Sequence, residues 1–250
     1  MLLDRRIHFF YSDYSKYESA EPVFYNAANF PVVKAIENSY ETIRQEVLPY
    51  INGEVKIDAS NPNAPDANYP DIWKHAYFMN YLWQFRPARK LFPKTYEILK
   101  QHKEITLAGI ASLEAGGKLL AHVGETNAII RCHLGLKIPG SLPECGLRVK
   151  DEYRGWTEGK IICFNDAFNH EAWNLTGEKR FILIFDIIRP EFARYRMWVC
   201  AYSLGIASSR YLLQLLRIKR NLPDAVRAFL VYPFAITWWI YLRLQPLWNR

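Results

Sequence analysis

The sequence predicts a mainly β fold with flanking helices, a sandwich or open barrel of the kind that includes the double-sheet jelly rolls. Two observations carry this expectation. Between Ile105 and Pro190, short β-branched or aromatic runs alternate with Gly, Pro, Asn and Asp, the texture of several short strands joined by close turns. Half of the 250 residues are hydrophobic and 15% are aromatic. That supplies a core for one large domain and excludes a disordered chain, a collagen-like repeat and a highly charged coiled coil.

The elements follow in order. The opening Met1-Leu-Leu-Asp-Arg-Arg6 puts a charge pair where a signal peptide needs an apolar run, so a cytoplasmic chain is expected. After Asn29-Phe-Pro31, Val33, Ile36, Tyr40, Ile43, Val47 and Leu48 recur at spacings of three and four, which predicts an amphipathic helix over 30–50. Residues 59–70 hold three prolines and three asparagines and read as a long surface loop. A second helix is expected over 93–101, with Pro93 in its first turn. Strands are predicted at 106–113, 128–136, 147–150, 160–164 and 180–188, with turns at Ala115-Gly-Gly117, Pro139-Gly140 and Thr176-Gly177. The chain thus divides into a helical and loop region (1–104) packing on the core, the β core (105–190) and a C-terminal helical segment (191–250).

Charge is distributed unevenly. The net +7 resides in the last sixty residues, which hold 9 Lys+Arg and 2 Asp+Glu, against 23 and 23 in residues 1–190. The uncharged run 228–242 contains Pro233 and would span about 22 Å as a helix, short of the roughly 30 Å hydrocarbon core. A spanning helix is therefore not expected. Trp198, Trp238, Trp239 and Trp248 near arginines suit a segment lying on a membrane surface; the alternative is that these aromatics pack on the β core. The basic residues alternate with long aliphatic runs, so nucleic-acid binding is not expected. Cys132, Cys145, Cys163 and Cys200 form no C-x-x-C pair and read as buried, reduced thiols, neither a disulfide framework nor a zinc site.

Three of the six histidines, His122, His133 and His170, fall in the β-rich segment together with Arg131 and Arg180. Residues two apart on a strand share a face. Arg131 and His133 therefore project together, as do Arg180, Ile182, Ile184 and Asp186. One strand histidine is ordinarily a core residue, but imidazoles grouped with inward arginines, which need an anion when buried, describe a metal site with a bound small anion.

Four ordered motifs sharpen this: His122-Val-Gly-Glu-Thr-Asn-Ala-Ile-Ile-Arg-Cys-His-Leu-Gly-Leu136, Trp156-x-x-Gly159-Lys160, Phe164-Asn-Asp-Ala-Phe-Asn-His-Glu-Ala-Trp-Asn174, and Arg180 with Asp186-x-x-Arg189-Pro190. Together they resemble the aspartyl/asparaginyl β-hydroxylase family, iron(II)- and 2-oxoglutarate-dependent dioxygenases on a double-stranded β-helix (jelly-roll) core, whose bacterial relatives include lipid A hydroxylases acting at the inner membrane. The resemblance runs from about Trp73 to Pro190. It implies that His122 and His170 are iron ligands and the catalytic centre, and that Arg180 binds the distal carboxylate of 2-oxoglutarate. Arg131 and His133 would bind the other end of that co-substrate or an acidic group on the prime substrate. The implied reaction consumes O2, converts 2-oxoglutarate to succinate and CO2, and hydroxylates a C–H bond.

Two positions depart from the wider pattern. Gly124 stands where a two-His-one-carboxylate triad carries its carboxylate, with Glu125 and Asp166 as outside candidates for a third ligand. Ala111 stands where the family often has a serine beside the co-substrate, with Ser112 facing away. Asp166 and Asn174 otherwise read as turn and cap residues, and Trp156 and Trp173 as packing residues. The substrate is left open between a peptide Asp or Asn side chain and a lipid acyl chain. A non-catalytic membrane-docking jelly roll, with Gly124 marking decay of the site, is the alternative of another class.

Overall fold

A computed structural model describes residues 4–11, 17–55, 72–218 and 222–248; the loop expected at 59–70 lies outside the described residues. In chain order the strands are β1 (Phe24–Tyr25), β2 (Trp73–Asn80), β3 (Trp83–Gln84), β4 (Ile105–Leu113), β5 (Gly117–His122), β6 (Ile129–Lys137), β7 (Cys145–Val149), β8 (Glu152–Arg154), β9 (Ile161–Phe164), β10 (His170–Asn174) and β11 (Arg180–Ile188). They form a seven-stranded sheet, β1-β9-β6-β11-β4-β2-β3, and a four-stranded sheet, β5-β10-β7-β8. All the strand pairs are antiparallel, and the two sheets make the jelly roll.

The larger sheet is covered on both faces, so β4 and β11 are buried along their whole length. Alternate residues separate two cores. Phe181, Leu183, Phe185, Ile110 and Leu134 pack toward the helices α1 (Pro31–Asn38), α2 (Tyr40–Ile51) and α4 (Pro93–Lys100). Ile182, Ile184, Ala111, Phe164 and Trp156 pack inward against Leu147, Val149 and Ala172 of the smaller sheet. Each buried aliphatic or aromatic side chain in these layers adds about 1.5–3 kcal/mol. The short helix α3 (Arg86–Leu91) follows β3.

All five expected strands are present, and α4 matches the second expected helix. The first expected helix is two helices, broken at Ser39, whose backbone leaves the helical region (φ −91°, ψ 5°) while its hydroxyl donates to the Ala35 carbonyl at 2.9 Å. Sequence reasoning missed β1, β2, β3, β5, β8 and β10; because β1, β2 and β3 belong to the larger sheet, that sheet begins before residue 105.

Beyond Arg189 a short 3-10 turn leads into α5 (Arg196–Leu215) and α6 (Asp224–Trp248). The expectation of a short apolar run is corrected here. Helix α6 continues through Pro233 for 25 residues, about 37 Å, and residues 225–245 are long and apolar enough to cross a membrane by length and composition alone. One face of α6 is covered by α5: a Cβ on Gly205 would come within 2.9 Å of the Ala235 backbone nitrogen, so only glycine permits this approach. The opposite face, Val226, Phe229, Tyr232, Ile236, Ile240 and Leu244, is exposed.

The helix pair grips the β2–β3 hairpin. Tyr81 (φ 45°) and Leu82 (φ 69°) adopt the left-handed conformation that a two-residue hairpin turn demands and that Asn or Gly usually supplies. Tertiary bonds hold them there. The Leu82 N–H donates to Thr106 at 2.8 Å, its carbonyl accepts from Gln245 Nε2 at 2.9 Å, and the Gln84 N–H donates to Gln245 Oε1 at 3.1 Å.

Candidate active site

The register of β5 and β10 aligns His122 with His170, at the end of the first strand and the start of the second. Their ring centroids lie 4.2 Å apart. In both, Nδ1 sits on the carbonyl two residues earlier, Leu120 at 2.7 Å and Phe168 at 2.9 Å. A carbonyl only accepts, so each Nδ1 carries the proton and each Nε2 is the lone-pair nitrogen. Burial, together with the neighbouring His122, keeps the His170 imidazole well below its ordinary pKa and therefore neutral. Two imidazoles oriented by backbone carbonyls are the donor set of an iron(II) or similar site.

Asp166 belongs to this centre and is no solvent-facing turn residue. It is fully buried, and its Oδ1 lies 3.4 Å from His170 Nε2. Two acceptor atoms that close are satisfied by a cation or a shared proton between them. Burial raises the Asp166 carboxyl to about 7, with Arg131 opposing. Gly124 explains how the carboxylate fits: a Cβ on residue 124 would fall inside the Asp166 carboxylate. Gly124→Ala is therefore expected to push Asp166 off Arg131 and to lower the melting temperature, with metal affinity falling in parallel; an unchanged melting curve and metal titration would show that the space is not shared.

Arg131 is held by the chain's own anions. Its Nε and Nη2 donate to both oxygens of Asp186 at 2.9 and 2.8 Å, and Nη1 lies 2.7 Å from Asp166 Oδ1. The sequence grouped it with the co-substrate residues; its placement makes it a brace for Asp166. Glu125, the other outside candidate, turns away: it accepts from the Tyr81 hydroxyl at 2.8 Å and lies 3.6 Å from Arg210 of α5. Among the described residues no cluster of three His, Cys, Asp or Glu has metal-ligand geometry.

Arg180 is placed quite differently. It is fully buried, and none of its three nitrogens has a hydrogen-bond acceptor among the described residues. Trp156 stacks 4.1 Å from its guanidinium carbon and Trp73 5.5 Å from it. Burial pulls its pKa down to about 10, with the Cys145 thiol opposing. His133, on Trp156 at 6.0 Å, has two buried ring nitrogens with no partner among the described residues, and Trp156 Nε1 has none there either. Burial, Arg180 and Arg131 hold His133 neutral. An uncompensated buried cation ringed by partnerless polar atoms is the signature of a pocket built for an anion.

Trp156 lines this pocket, whereas Trp173 is a packing residue whose indole donates to the Pro143 carbonyl at 2.7 Å. Asn174 organises a turn, donating to Glu178 at 2.7 Å and accepting from the Thr176 hydroxyl. Ser112 faces the helical layer beside Tyr50. The four cysteines are free and buried. Sequence reasoning missed His75 and Trp73, both on the unrecognised strand β2.

The model of the aspartyl/asparaginyl beta-hydroxylase family matches residues 37–190, the span that holds both histidines and both arginines. The chain belongs to this family. Among its relatives, the ornithine lipid ester-linked acyl 2-hydroxylase of Rhizobium tropici is 30% identical over 182 residues, 71% of this chain and 65% of that protein. The aspartyl/asparaginyl beta-hydroxylases of Mus musculus and Homo sapiens are each 31% identical over 169 residues, 64% of this chain. The aligned region spans less than two thirds of the Rhizobium protein and 22% and 21% of the two mammalian ones. Family membership supports a hydroxylase on this jelly roll.

Proposed function

We propose that the chain is an iron(II)- and 2-oxoglutarate-dependent hydroxylase whose metal is held by His122 and His170 and whose co-substrate is held by Arg180. The observation that carries this reading is the buried guanidinium of Arg180, without a hydrogen-bond acceptor among the described residues, on the same jelly roll as two carbonyl-oriented imidazoles. The residues present fit both groups. When bound, iron, O2 and 2-oxoglutarate supply the oxidising power, with release of succinate and CO2 and transfer of one oxygen atom to a substrate C–H bond.

The chain's own residues do the rest. His122 and His170 present lone pairs from a fixed direction, because each ring is locked through Nδ1. Arg180 offers a planar fork that suits a carboxylate bidentately. Trp73 and Trp156 cover its faces and keep water from the ion pair. Arg131 fixes Asp166 beside His170 Nε2, where the carboxylate would accept a hydrogen bond from a polar group bound next to the imidazole pair.

For the prime substrate, a lipid acyl chain is favoured over a peptide Asp or Asn by the exposed apolar face of α6, flanked by Arg227 and Arg243 and continued by Tyr211, Leu215 and Leu216 at the end of α5. Such a face suits a bilayer surface with anionic headgroups. The similarity to an ornithine lipid acyl hydroxylase agrees with this.

The test is iron-dependent succinate formation by the purified chain, followed by mass spectrometry for the gain of one oxygen on an acylated lipid and on an Asp/Asn peptide. Absence of iron-dependent succinate formation with either would overturn the enzyme reading, and oxygen gained by the peptide alone would overturn the lipid one. In a flotation assay with phosphatidylglycerol vesicles, the parent is expected to float. A Phe229→Glu/Ile236→Glu variant should remain in the pellet fraction with an unchanged melting temperature, and equal flotation of both would remove the membrane contact.

A further inference from the structure

Strand β2 brings a residue to the anion pocket that no motif assigns. His75 is 5% exposed, and neither of its ring nitrogens has a hydrogen-bond partner among the described residues. It lies between two aromatic rings, Trp73 at 4.6 Å edge-on and Tyr77 at 4.8 Å stacked. Trp73 is also one of the two rings that cover Arg180. The registers place His75 opposite Ala111 of β4, which in turn is opposite Ile182 of β11, two residues along from Arg180. Cross-strand partners share a face, so His75 and Arg180 look into the same inter-sheet layer, with only the methyl group of Ala111 between their strands.

A core histidine explained by packing alone would have at least one nitrogen on a backbone or side-chain partner, as His122 and His170 do. An unmade bond at a buried nitrogen costs about 1–3 kcal/mol, and phenylalanine would fill the same aromatic slot without that cost. Burial and the charges of Arg131 and Arg180 push the ring down to about 3, so it is a neutral N–H donor that adds no further positive charge to the pocket.

We propose that His75 is a binding residue of the Arg180 pocket, donating a hydrogen bond to the carboxylate that Arg180 takes as its counter-ion. On the reading above, which this proposal rests on, that group is the distal carboxylate of 2-oxoglutarate, and His75 sets the preference for a five-carbon dicarboxylate over shorter keto acids.

The experiment is calorimetric titration of the full-length chain, loaded with Mn(II) in place of iron, with 2-oxoglutarate and separately with oxalate, which has only the metal-chelating end. His75→Phe is expected to weaken 2-oxoglutarate binding by about tenfold to a hundredfold, the range for a hydrogen bond to a charged group, and to leave oxalate binding unchanged. His75→Asn, which keeps an N–H donor, should recover part of the loss. Equal 2-oxoglutarate affinity in the parent and His75→Phe would overturn the proposal while leaving the co-substrate reading intact. Equal losses for both ligands would also overturn it, by showing a structural role. A parent that binds oxalate but gains nothing from 2-oxoglutarate would overturn the co-substrate reading and this proposal with it.

Discussion

Alanine at His122 or His170 is expected to abolish iron-dependent succinate formation, a loss of more than the 10- to 100-fold that removing an outer-sphere partner typically causes. The two variants separate chemistry from stability. His122 is half-buried at the end of β5, so its truncation should leave the melting temperature nearly unchanged. His170 is buried against Phe164 and bonded to the Phe168 carbonyl, and its loss should also destabilise the fold by about 1–3 kcal/mol. Fluorescence-monitored unfolding beside a succinate assay checks both. Parental turnover in the His122→Ala protein would remove the imidazole pair from the mechanism.

Arg180→Met is expected to move stability and binding in opposite directions. A buried charge with no acceptor among the described residues is a cost that the folded chain carries, reduced by the stacking of Trp156 and Trp73. Replacing buried ionic groups by a hydrophobe of similar volume is often stabilising by about 1–4 kcal/mol. The ligand-free variant should therefore melt several degrees above the parent. The same change removes the counter-ion of the proposed co-substrate. Saturating 2-oxoglutarate should raise the parent's melting temperature, by about 2.7 kcal/mol of linkage at 100 times the dissociation constant, and leave that of the variant where it was. A ligand-free variant less stable than the parent, or one still stabilised by 2-oxoglutarate, would contradict this account of Arg180.

The long central strands of the β core were legible in the residues, whereas the short strands β5 and β10 that carry His122 and His170 were not. Arg131 with His133, and Arg180 with Ile182 and Ile184, project together because a strand has a period of two, and that period holds wherever one face differs from the other. Where both faces are buried the polar–apolar alternation is lost, and only an aliphatic β-branched run such as that of β11 still marks a strand. Trp73–Asn80 reads Trp-Lys-His-Ala-Tyr-Phe-Met-Asn with no alternation, since one face meets the helices and the other the inter-sheet layer, and so β2 and His75 went unread. Asp166 was legible only as a loop carboxylate; its role comes from Arg131, thirty-five residues earlier, and from the space that Gly124 leaves. Glu125, expected to point away and kept only as an outside candidate, does turn away; its partners Tyr81 and Arg210 come from a hairpin and a helix distant in sequence and were not legible. Pro233 argued for a short apolar segment, yet it lies on the exposed side of α6 near Phe229, where the backbone bond it forfeits is not buried.

The two bonds from Gln245 to the β2–β3 hairpin have a geometric consequence. They tie the far end of α6 to the strand that carries His75 and, through Tyr81 and Glu125, to the loop after His122. The helix pair is therefore no detachable tether. If its outer face rests on a bilayer, the imidazole pair is carried at a set height above the lipid, and the carbon to be oxidised is chosen by measurement along the chain, as with a ruler, more than by the identity of the headgroup.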